Sequence, residues 1–188
     1  MYPTHVLPSR RSAAGLRAGA VSLVLLATGC EADPVATDLD NWYYGLSAVL
    51  VENVALANEI QDLAAKTNKD REKDEVSAKD TARKLSEVIV PLARTVSEHA
   101  ADVRPMTTEY QSMHDALATI WTDRADTYAG ILKAWETTDS EALATGMDKV
   151  REIRIAESFW FTRTNEVLAP KGYRFEEFPR SAPKRPTP

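Results

Sequence analysis

Four polar residues interrupt otherwise apolar helical stripes in this chain: Asn53, His99, Arg124 and Glu157. Their heights can be compared by laying the helices antiparallel. A turn near residues 135–139 sets Glu157 opposite residues 117–124, and Asn53, midway along the first helix, falls at a similar level. Arg154, one turn before Glu157, lies close enough to join them. A carboxylate facing a core is costly unless paired, so Glu157 is expected to have an arginine partner. The expected outcome is a structural polar layer that fixes the register of the helices. Two other arrangements use the same residues: stripe-edge side chains that reach water, or a pocket in which Arg124 or Arg154 grips an anionic group.

Histidines and carboxylates offer little else. His99 and His114 flank the turn at Pro105, with Asp102 and Glu109 nearby. The Glu-x-x-His pairs of di-iron bundles are missing, because Val96 and Gln111 stand three residues before the histidines. No metal site is expected, and each histidine reads as a hydrogen-bonded core residue. The chain has no Gly-rich phosphate loop, no Gly-x-Ser-x-Gly and no His-Glu-x-x-His. Nothing marks the opposed carboxylates of a glycosidase, and without Cys-x-x-Cys-His there is no c-type haem. The chain is therefore not expected to be an enzyme. Trp42, Trp121, Trp135 and Trp160 read first as core, while Trp121 with Phe159 or Phe161 could instead mark a partner-binding patch.

The one cysteine, Cys30, carries the most specific signal. Arg10, Arg11 and Arg17 precede an apolar stretch over residues 18–26, which leads into Ala27-Thr28-Gly29-Cys30. These are the basic, apolar and small-residue parts of an export signal. The apolar run is shorter than the ~20 residues of a membrane-spanning helix. Ser12-Ala13-Ala14 lacks the hydrophobic pair expected after a twin-arginine start, which favours ordinary secretion. The last four residues resemble the lipobox of bacterial lipoproteins: an aliphatic residue, two small ones and a cysteine. The resemblance covers the first thirty residues alone. It implies that residues 1–29 are removed, that Cys30 becomes the lipidated first residue, and that the covalent lipid is the only attached group. Glu31 is not the Asp that retains some such proteins at the inner membrane, so the resemblance implies the outer membrane facing the periplasm.

Loss of the signal removes three arginines and no acid, so the formal charge moves from −5 to −8. An acidic domain does not suit nucleic acid, whose phosphates need clustered Lys and Arg. The remaining ~160 residues suffice for one domain with a real core. Residues 30–37 form the lipidated cysteine and a short tether. A bundle is predicted over residues 38–170, with Asp38 or Asp40 capping the first helix. Apolar residues recur at spacings of three and four in four segments. Pro91 should kink the second helix, Pro105 should end it, and Ser140-Glu141 should cap the fourth. The fourth helix is apolar on more than one face. Four such helices with short connections predict an all-α, up-down-up-down four-helix bundle. Residues 171–188 form a Pro-rich tail, in which Phe175 and Phe178 can pack back while the last ten residues stay disordered. The expected function is a membrane-anchored envelope module with a protein partner; a ligand- or metal-binding bundle is the alternative.

Overall fold

The computed structural model describes residues 33–71 and 78–185. The export segment, Cys30 and Glu31 lie outside the described residues. Helix α1 (Pro34–Arg71) is the longest element at 38 residues, about 57 Å at 1.5 Å per residue. The second rod is continuous but uneven: α2 (Ala78–Lys84), a π-helical turn (Leu85–Ile89) and α3 (Val90–Asp102). Helices α4 (Thr108–Thr137) and α5 (Ser140–Leu168) complete the up-down-up-down bundle, and a 3₁₀ turn (Ala169–Lys171) follows. No strand occurs among the described residues.

The ends of these helices follow local chemistry, with corrections to the expected boundaries. Helix α1 starts at Pro34, within the expected tether, because Asp33 accepts from the Val35 amide at 3.0 Å and proline suits a first helical position. Asp38 instead caps a different helix. Its two carboxylate oxygens accept from the Met106 and Thr107 amides at 2.9 and 2.8 Å, at the start of α4. Those bonds to the ionised form outweigh desolvation and hold the Asp38 carboxyl below its ordinary value. Asp139, one residue before the expected cap, accepts from the Ala142 amide at 2.9 Å to open α5.

Proline 91 acts one turn earlier than its own position. Its ring would meet the carbonyl four residues back, and it has no amide to donate. The chain answers with wider turns, in which the Val90 amide bonds the Leu85 carbonyl five residues back. The rod passes through this π turn without breaking.

Backbones approach closely from α1 to the second rod, from that rod to α4, and from α4 to α5. Gly146 permits the last approach, since a Cβ there would stand 2.6 Å from Ile131 Cγ1. The seam between α1 and α5 is instead filled by large side chains and by the C-terminal tail. Asn165 clamps Phe175, donating to its carbonyl at 2.9 Å and accepting from its amide at 2.8 Å. The buried Phe175 ring then meets Trp42, Tyr43 and Trp160 with centroids 5.1–5.7 Å apart. Tyr43 donates to the Arg174 carbonyl at 3.0 Å, and Tyr173 donates to Asp40 of α1. That bond is the largest reason the Tyr173 hydroxyl is pushed up to about 12. Beyond Phe175 the tail continues across the bundle rather than leaving it: Pro179 is buried, and Arg185 donates to Asn41 at 3.1 Å while lying over the Tyr44 ring. Phe178, expected to pack, stays exposed.

Candidate functional site: a polar layer between two cores

The buried apolar side chains fall into two clusters. The first, near the start of α1, is rich in rings: Trp42, Tyr110, Trp121, Trp160, Phe161 and Phe175. Trp42 stacks on Tyr110 at 5.6 Å and donates from Nε1 to His114 Nδ1 at 3.2 Å. The second cluster is largely aliphatic and joins Leu56, Leu85, Ile89, Val90 and Ile131 to Tyr128. Asn53, Arg124 and Glu157 lie between them along their helices.

Three side chains from three helices close a ring of hydrogen bonds. Arg124 Nη2 donates to Asn53 Oδ1 at 2.6 Å, and Asn53 Nδ2 donates to Glu157 Oε1 at 3.2 Å. Arg124 Nη1 donates to the same Glu157 oxygen at 3.3 Å, an ion pair almost out of water. Trp121 Nε1 donates to it as well, at 2.7 Å. Burial pulls the Arg124 guanidinium below its ordinary value, and the Glu157 charge opposes that pull. The guanidinium also faces the Trp121 ring at 5.4 Å. Only Nε of Arg124 is buried without a partner among the described residues.

Glu157 Oε1 thus accepts three hydrogen bonds from within the protein. The arrangement can hold helices in register. Of the residues read from the sequence, Asn53, Arg124 and Glu157 meet as expected. Arg154 does not join them. Ile153 takes the inward position on that turn of α5, which swings Arg154 outward, and Arg154 makes no hydrogen bond or ion pair among the described residues. The sequence reading put Trp121 in the core but not in this layer, although it stands three residues before Arg124 on the same face of α4.

The two histidines part company. His114 is buried beside Trp42, whereas His99 lies half-exposed with Nδ1 2.7 Å from Glu52. Trp121 and Phe161 are buried in the ring-rich cluster and form no surface patch. Phe159 and Ile155, 65% and 52% exposed, do remain outside on α5. No helix among the described residues is long and apolar enough to cross a membrane. No protein-family model, curated protein or solved structure matches this chain.

Proposed function

We propose that this protein is a lipid-anchored, non-enzymatic module of the bacterial cell envelope, held at the membrane through acylated Cys30 and offering its helical faces to an envelope protein. The observation that carries this reading is positional. The described bundle begins with α1 at Pro34, so a lipid on Cys30 would anchor it by its first helix. Helix α1 begins four residues past the cysteine, which would set the ring-rich end of the bundle nearest the membrane. The polar layer supports a structural role, because one Glu157 oxygen accepts from Asn53, Trp121 and Arg124 and so ties three helices together. Phe159 and Ile155 are the natural place for a partner. An outer-membrane position facing the periplasm follows from Glu31 after the cysteine.

The test is Cys30→Ser. Metabolic labelling with palmitate should disappear, and the protein should move to the soluble fraction with its thermal midpoint unchanged. Two or three acyl chains hold a protein stably where one is marginal. Retention of the Cys30→Ser protein in salt-washed membranes would refute the anchor. Crosslinking in intact envelopes, compared with Phe159→Ser, then tests the partner face: loss of a specific adduct is expected.

A further inference from the structure

The tail after α5 is fixed to the bundle at two places and left unbonded between them. Asn165 and Tyr43 hold residues 174 and 175, and Arg185 reaches Asn41 and Tyr44 of α1. Residues 176–184 make no hydrogen bond to the bundle among the described residues, and Pro179 alone of them is buried. The result is an arch, with a hollow of about 360 Å³ between it and α1. That volume stands at the small end of ligand-sized cavities.

The hollow is lined by charge, hydroxyls and one ring. Arg174, Glu176 and Arg180 line it from the arch, and none of the three has a side-chain hydrogen bond or ion pair among the described residues. They leave one net positive charge there, in a chain whose formal charge is −5. Tyr43 and Ser47 of α1 and Ser181 of the arch add three hydroxyls. The Tyr43 hydroxyl already donates to the Arg174 carbonyl, so its oxygen is left to accept. Phe178, 59% exposed, supplies an aromatic surface on the same lining.

Each of these groups restricts the ligand. Guanidinium groups donate and never accept, so they require an anionic acceptor, and the single net charge matches a carboxylate better than a phosphate dianion. An ionised Glu176 accepts and never donates, so the ligand must bring donors as well; Tyr43, its proton already used, makes the same demand. A zwitterionic amino acid would meet both demands but leave the net charge uncompensated. An aromatic face takes CH groups. One carboxylate, several hydroxyls and a CH face together describe an acidic sugar. We propose that the hollow beneath the arch binds one acidic sugar residue, its carboxylate at Arg174 and Arg180 and its hydroxyls at Glu176, Tyr43 and Ser47. The proposal is independent of Cys30 acylation.

Glucuronate is the probe, titrated into the isotope-labelled full chain while backbone amide shifts are followed. One saturable set of shifts is expected, centred on Tyr43, Ser47 and the arch. Glucose, which lacks the carboxylate, and acetate, which lacks the hydroxyls, should each bind more weakly by about fivefold or more. Arg180→Gln, at an exposed position, should weaken glucuronate by about fivefold or more and leave glucose unchanged. Phe178→Ala, also at an exposed position, should weaken both sugars alike. The proposal fails if glucuronate gives no saturable shift, or if acetate matches it, which would show an adventitious ion only. It also fails if Arg180→Gln holds glucuronate as well as the unsubstituted chain does or loses glucose to the same degree, or if Phe178→Ala leaves both sugars unaffected.

Discussion

Glu157 shows how a single polar residue can be read from sequence and how far such a reading goes. Its place on an apolar stripe required a buried cation, and Arg124 supplies it. The choice between Arg124 and Arg154 was not legible, because a few tens of degrees of helix rotation decide whether residue 153 or 154 faces inward. Glu157→Ala would strand Arg124 and should destabilise the bundle by about 3–5 kcal/mol in denaturant unfolding, as for other broken buried pairs. Glu157→Gln should cost less, because its amide oxygen still accepts from Trp121 and Arg124. Equal losses for the two variants would contradict the pairing. His114 gives a pH dependence. Trp42 donates to its Nδ1, so the buried ring is neutral with its proton on Nε2, and desolvation is the leading cause that lowers its pKa from 6.5. The unfolded state therefore binds more protons below pH 6.5. The contribution is fully present above that value and is lost as pH falls through the folded pKa, with a slope of at most about 1.4 kcal/mol per pH unit. His114→Gln, which can still accept from Trp42, should flatten stability measured between pH 7 and 5.

At the scale of elements, periodicity located the rods better than capping residues located their ends. The three- and four-residue spacings mark all four rods, because apolar burial over many turns averages out local exceptions. Ends depend on single side chains that have more than one possible use. Asp38 is a good cap by type, yet it serves α4 across the bundle rather than its own helix. Pro91 announced an irregularity without saying that it would be a π turn, since a kink and a wider turn both relieve the same clash. The two closing turns of α4 and of the segment after α5 share one hydrogen-bond pattern. The Asp139 amide bonds Ala134 and the Thr138 amide bonds Trp135; the Tyr173 amide bonds Leu168 and the Gly172 amide bonds Ala169. In each the pivotal residue is left-handed: Gly172 at φ 86° in one, Thr138 at φ 55° in the other. A β-branched residue pays for that conformation, so Thr138→Gly should stabilise the protein by about 1 kcal/mol in thermal unfolding. A loss of stability would mean that the Thr138 side chain contributes contacts which outweigh its backbone strain.

For the whole molecule, fold class was legible and closure was not. Four amphipathic segments with short links allow few arrangements other than a bundle. That the fourth seam would be sealed by residues after α5 depends on Asn165, and nothing in its spacing distinguishes it from a surface residue. The tail should accordingly divide in two. Phe175→Ala should cost about 3–5 kcal/mol, as for a fully buried ring. Among the described residues, removing 180–188 takes away the exposed Arg185 contacts to Asn41 and Tyr44, each worth about 1 kcal/mol or less, and should lower the thermal midpoint by a few degrees at most. A larger loss on that truncation would move the end of the structural strap outward to Arg185.

The clamp between Asn165 and Phe175 also fixes an order of events. Tyr43 and Tyr173 stand 130 residues apart in the chain, yet their rings lie 5.0 Å apart. Such a contact is closed late, because the intervening loop must first be ordered. A chain emerging from its N-terminus can pair its first helices early, but their aromatic flank stays unsealed until nearly the last residues arrive. Completion of the fold is thereby tied to completion of the chain, and a product truncated before Phe175 carries an exposed seam of rings.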